Sequence, residues 1–151
     1  MDRSILIPLD GSMFAEHALP IARSIALRTG TVLQLALVHV PIPVRYVEGV
    51  AIFDEALEVR NRERERAYLN EVVNRLMTEP NVSVTSTLLE GKIGKIAETL
   101  HDHATVTGVD LMVMTTHGRG GLARFWLGSV TDKLIRQALI PVLLIRRQEE
   151  E

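Results

Sequence analysis

Short apolar runs alternate with longer segments of helical periodicity along this chain, and that alternation admits few folds. The first run, Ser4-Ile5-Leu6-Ile7-Pro8-Leu9, ends at Asp10-Gly11-Ser12, which carries turn and helix-cap chemistry. Phe14, Ala15, Ala18, Leu19, Ala22, Ile25 and Ala26 then recur at helical spacing until Gly30, placed as a C-terminal cap. Residues 31–40 are rich in Val and Leu and read as a buried strand closed by Pro41 and Pro43. Residues 51–79 form a long helical pattern. Its central run of Arg60, Arg62, Glu63, Arg64, Glu65 and Arg66 reads as a solvated face. Residues 81–89 read as a strand, and Ile93, Ile96, Ala97, Leu100 and Ala104 make one helical stripe. A strand at 111–114, a helix at 129–139 and a strand at 141–145 complete the series.

The order is β-α-β-α-β-α-β-α-β. Continuous apolar strands joined by amphipathic helices imply an α/β fold: a five-stranded parallel sheet with helices on both faces. Right-handed crossovers make it doubly wound and Rossmann-like, with strand order 3-2-1-4-5. No linker or internal repeat interrupts it, so residues 1–151 are expected to form one domain. Ligands of such sheets bind beyond the strand carboxyl ends, where the winding reverses.

Composition narrows the function classes. There is no cysteine, so disulfide, thiolate and cysteine–metal chemistry are excluded. A net charge of −2 argues against a general nucleic-acid binder. No apolar run approaches membrane-spanning length, and the start of the chain lacks a signal-peptide pattern, so a cytoplasmic protein is expected. The charge is uneven, however. Residues 111–147 hold Arg119, Arg124, Lys133, Arg136, Arg146 and Arg147 against the single acid Asp132, a local field suited to a small polyanion.

That basic segment contains a glycine-rich stretch, 117–128, between a strand and a helix. Glycines let backbone N–H groups approach an anion, and a helix start adds unpaired donors and the positive end of its dipole. The stretch lacks the Gly-Lys-Ser/Thr of the Walker loop. Gly118, Gly120 and Gly121 also have the wrong spacing and place for the dinucleotide fingerprint. A flexible crossover is the plain alternative. Asp10 has two readings as well: a partner for a ribose hydroxyl or divalent cation, or an Asx-turn with Gly11.

Met114-Thr115-Thr116-His117-Gly118, followed after nine residues by Gly128-Ser129-Val130, closely resembles the nucleotide loop of the universal stress protein family. Pro8-Leu9-Asp10-Gly11-Ser12, His39-Val40 and Pro141-Val142-Leu143-Leu144-Ile145 resemble its first, second and last strand ends, in the same order. The resemblance implies ATP as ligand, with Mg or Mn as accompanying cation. Gly118 and Gly128 would let the backbone wrap the phosphates, and Ser129 and Val130 would bind phosphate at the helix start. Asp10 would face the ribose or phosphates, while Pro8, Val40 and Met114 would line the adenine and ribose pocket. Leu9, His117, Arg119 and Gly121 complete the expected site. Thr115 stands where ATP-binding members carry the motif's first glycine, which adds bulk beside the ribose.

The remaining candidates have plainer readings. His39 is expected to be structural, His17 exposed, and Trp126 a packing residue. His101 and His103 are two apart on a helix, so they point to different faces and make no metal pair. Function divides between a nucleotide-dependent regulatory module, a slow ATPase or phosphotransferase, and a stress protein of the same fold without nucleotide. Phosphoryl transfer asks for a positioned base and a cation at the leaving charge, and the loop supplies neither a second acid nor a lysine. A two-component receiver domain would leave the glycine loop unexplained. The apolar last strand, Val142 to Ile145, suits a sheet edge, and the resemblance implies a homodimer through it.

Overall fold

The computed structural model describes residues 3–116 and 129–146. Strands β1 (Ser4–Leu9), β2 (Val32–His39), β5 (Val84–Glu90), β6 (Leu111–Thr115) and β7 (Val142–Ile145) form one sheet in the order β5-β2-β1-β6-β7. All pairings in it are parallel. With the small hairpin β3 (Arg45–Val47) and β4 (Val50–Ile52) set aside, this is the order that the alternation implies. The helices are α1 (Leu19–Thr29), α2 (Glu55–Met77), α3 (Ile96–Thr107) and α4 (Ser129–Gln137), and a 3-10 turn at Ala15–Ala18 precedes α1.

Residue parity along β1 builds both layers of the core. Ile5, Ile7 and Leu9 join Leu33, Leu35 and Leu37 under α1 and α2. Leu6 joins Ala36, Met112 and Met114 under α3 and α4. Central strands buried on both faces are therefore continuous apolar runs, which is why they were easy to read. Gly30 and Gly108 end α1 and α3 in the left-handed conformation, as helix C-terminal caps do.

Three local readings need correction. The pattern over residues 51–79 is not one helix. Val50–Ile52 is the second strand of a hairpin whose two-residue turn, Glu48-Gly49, has φ of 50° and 79°. Positive φ at both positions matches the twist of the flanking strands, and Glu is a rare choice at the first of them. The helix starts only at Glu55, where the Asp54 carboxylate accepts the Leu57 N–H at 2.9 Å. Ile93 is also not part of the α3 stripe. It is exposed in the turn before that helix.

The third correction concerns the charged face of α2. Glu58, Arg62, Glu65, Leu69, Val72 and Leu76 fall at successive spacings of four and three, so they form one stripe. Leu69, Val72 and Leu76 pack in the core, and the same stripe continues as Glu58, Arg62 and Glu65 toward the strand carboxyl ends. Arg60, Glu63, Arg64 and Arg66 do face solvent.

Candidate functional site

The reversal in winding lies between β1 and β6. From β1 the chain passes through α1 to β2 on one side, and returns from β5 through α3 to β6 on the other. β1 pairs with β2 along its whole length, Ser4↔Val32 to Leu9↔Leu37. It pairs with β6 only at Ile5↔Leu111 and Leu6↔Met112. Pro8 gives the reason. The Arg3 carbonyl accepts from Val32 N–H and the Ser4 carbonyl from Asp110 N–H, so even-numbered residues of β1 address β6. Pro8 is even-numbered and has no N–H, so the ladder on the β6 side lacks a donor there. The pairing therefore stops short of the strand carboxyl ends, where the crevice of a doubly wound sheet is expected.

Asp10 follows β1 directly into this crevice. Its Oδ1 accepts from the Ser12 N–H at 2.9 Å and the Ser12 hydroxyl at 2.5 Å, while the Ser12 Oγ accepts from Ala15 N–H at 3.3 Å. Gly11 between them has φ of 83°. This is the Asx-turn reading of Asp10.

Across the crevice, the Thr116 N–H donates to the Ile145 carbonyl at 3.1 Å as β6 ends. The buried Thr131 hydroxyl donates to the Thr115 carbonyl at 3.3 Å. That bond ties the first turn of α4, with Ser129 and Val130, to the end of β6. Val130 packs against the layer that holds Met114 and Leu134. A helix start is thus fixed beside the open strand ends, a place where N–H donors favour an anion.

The other expected pocket residues are distributed as follows. Pro8 and Val40 are half-buried at the ends of neighbouring strands. Leu9 and Met114 lie in the cores on opposite faces of the sheet, under α1–α2 and α3–α4 respectively. Thr115 is buried at the end of β6. His117, Gly118, Arg119, Gly121 and Gly128 lie outside the described residues, as does Trp126.

The structure gathers around His39, expected to be structural, a group that takes Arg62 and Glu65 from the run read as a solvated face. His39, at the end of β2, is wholly buried, and both of its ring nitrogens meet carboxylates. Nδ1 lies 3.0 Å from Glu65 Oε1, and Nε2 contacts Glu58 Oε1. Glu58 also accepts the Ile42 N–H at 3.1 Å, and its Oε1 lies 3.4 Å from Arg62, which pairs in turn with Glu90 at the end of β5. Burial pulls the His39 imidazolium toward its neutral form, but the hydrogen bonds and charges of Glu58 and Glu65 outweigh it and raise its pKa. The hydrogen bonds from His39 and from the Ile42 amide hold Glu58 below the usual carboxylate range. The signal available in the sequence was positional: Glu58, Arg62 and Glu65 extend the buried stripe of α2 opposite a strand-end histidine.

Among the described residues, no group of three or more His, Asp or Glu side chains is placed to hold a metal ion. Among them, too, no helix is long and apolar enough to cross a membrane.

Comparison with known proteins agrees with this architecture. A universal stress protein of Thermus aquaticus is 35% identical over 146 residues, covering 97% of this chain and all of that protein. A structure from the same family in Burkholderia pseudomallei superposes with a TM-score of 0.71 at 31% identity, covering 94% of each chain. A universal stress protein solved in complex with cAMP shares the fold, with a TM-score of 0.69 at 20% identity over 96% of this chain and 97% of that one. The model of the universal stress protein family matches residues 1–146, and the chain belongs to that family.

Proposed function

We propose that the chain is an adenine-nucleotide-binding regulatory module that holds ATP across the crevice between β1 and β6 and acts as a homodimer in the cytoplasm. One observation carries this reading: the ladder between these strands stops at Leu6↔Met112, and α4 begins beside the open ends, anchored by the Thr131 hydroxyl on Thr115. An open switch point next to a fixed helix start is the arrangement that nucleotide phosphates occupy in doubly wound sheets. The spacing from Gly118 to Gly128-Ser129 supplies the loop chemistry such a site needs. The relative solved with cAMP supports an adenine nucleotide as the ligand class.

Asp10 follows β1, and Ser129 and Thr131 lie in the first turn of α4, so their oxygens are the ones that would hold a phosphate-bound Mg or Mn ion as part of the nucleotide complex. The loop has neither a second acid nor a lysine, which favours holding a nucleotide over turning it over. β7 is an edge strand of four residues, Val-Leu-Leu-Ile, and supports pairing with a second copy.

Titration calorimetry with ATP tests the reading. Gly118→Val is expected to weaken ATP binding at least about tenfold, a loss of about 1.4 kcal/mol, with an unchanged far-ultraviolet circular dichroism spectrum. Equal affinity in the variant, or no ATP binding by the parent chain, rules out the loop as the phosphate cradle. Chromatography of the supernatant from freshly denatured protein is expected to show co-purified adenine nucleotide.

A further inference from the structure

We propose that His39, Glu58 and Glu65 form a proton-operated clamp that holds the start of α2 against the end of β2 and so fixes the chain at Val40, one of the residues expected to line the nucleotide pocket. The inference rests on the nucleotide reading above for its link to binding, and on geometry alone for the clamp itself.

A carboxylate only accepts hydrogen bonds, and each ring nitrogen of His39 meets one: Nδ1 lies 3.0 Å from Glu65, and Nε2 contacts Glu58. With both carboxyls ionised, both nitrogens carry hydrogen, and the ring is an imidazolium. A neutral ring has one N–H, so one carboxylate would then face a lone pair at hydrogen-bond distance. The charged groups around the ring are Glu58, Arg62 and Glu65 from α2 and Glu90 from the end of β5. Arg62 is shared between Glu58 and Glu90, so without the imidazolium three carboxylates surround a single cation. Glu65 is the most weakly held, because among the described residues no second partner supports it as Ile42 and Arg62 support Glu58.

The clamp acts on the connection out of β2. Glu58 holds the Ile42 N–H at 3.1 Å, and Val40 lies between that amide and His39. Loss of the ring proton removes one of the two hydrogen bonds and the ion pairing in the other, and leaves Glu58 and Glu65 repelling each other. The first two turns of α2 then separate from the strand end, and the Ile42 amide goes with Glu58.

The signs follow from the two shifts. His39 is shifted up, so its contribution is present at low pH and lost as pH rises through its folded value. Glu58 is shifted down, so its contribution is lost as pH falls through its folded value. The clamp is closed between these two limits.

Nuclear magnetic resonance of the full-length labelled chain, without nucleotide, reads the clamp directly through the His39 ring and the Ile42 amide. Both signals are expected to titrate together, with a midpoint above about 6.5, the ordinary histidine value. Glu65→Gln is expected to move that shared midpoint to lower pH, a change that a purely packing role for Glu65 does not produce. ATP affinity, measured by calorimetry across the same range, is expected to fall about fivefold as His39 deprotonates. In His39→Gln, which retains an N–H donor but does not titrate, only the ligand's own pH dependence should remain.

A His39 midpoint at or below about 6.5, or an Ile42 amide that ignores it, overturns the clamp. ATP binding that is present but has the same pH profile in the parent chain and His39→Gln overturns the link to the site alone. Co-titration of His39 and Ile42 in a chain that binds no ATP at any pH supports the clamp and overturns both the link and the nucleotide reading.

Discussion

Gly91→Ala is expected to lower the unfolding free energy by about 2 kcal/mol and the melting temperature by about 4–8 °C. Gly91 follows β5 and donates its N–H to the His39 carbonyl at 2.8 Å. A Cβ there would sit 2.3 Å from Val38 Cγ1 and 3.3 Å from the His39 carbonyl oxygen. Contact at the first distance forces a shift, and Val38 packs against a core layer with little room to give. Because the worst clash is with a side chain, Val38→Ala should restore much of the loss when combined with Gly91→Ala, even though alone it leaves a small cavity. Heat or urea denaturation of the four proteins of this cycle provides the measurement. A Gly91→Ala protein that melts like the parent would mean that β2 and β5 do not approach this closely at their ends.

The second large effect is expected at α4. This helix has nine residues, and its buried positions are Thr131 and Leu134. Leu134 is fully enclosed among Leu6, Ala97, Leu100 and Met112. An isolated helix of this length is not stable in water, so its order depends on docking. Leu134→Ala removes the main apolar anchor at a cost of about 3 kcal/mol. Much of that loss should appear as local undocking of α4, with the sheet left intact. Hydrogen exchange is expected to show lost protection through 131–137 while β1 and β2 remain protected. If α4 is docked in only about a tenth of the molecules, the proposed ATP binding weakens about tenfold, because the helix start assigned to the phosphates is absent from the rest. Uniform loss of protection across the sheet would show instead that α4 unfolds only with the whole domain.

The parts of the fold that were legible in the sequence share one physical property. Strands enclosed on both faces must be apolar throughout, so β1, β2 and β6 stand out from their polar surroundings. Left-handed glycine caps at Gly30 and Gly108 mark helix ends for an equally direct reason. The hairpin was not legible, because its strands have three residues each and its turn is Glu-Gly. Exposed apolar residues such as Tyr46, Val50 and Ile52 carry no alternation that marks an inner face.

For the site, the spacing around Gly118 and Gly128 pointed to a nucleotide through family resemblance, whereas the crevice itself depends on Pro8, whose effect needs the strand order. The cluster around His39 was obscured because charge usually signals solvent exposure. Here the stripe of α2 turns ionic while still facing inward, and only the helix's register against β2 reveals it.

The hairpin has a practical consequence. Every residue of β3 and β4 is exposed, and its tip lies far along the chain from both core layers. Segments with these properties accept inserted sequence without loss of the fold. A short tag or a dye-labelled cysteine placed between Glu48 and Gly49 should therefore be carried as passive cargo; the chain has no native cysteine to compete for the label. Through Val44 and Ile42 that cargo would be leashed to the connection out of β2 whose Ile42 amide Glu58 holds, so its fluorescence would report movement of that connection.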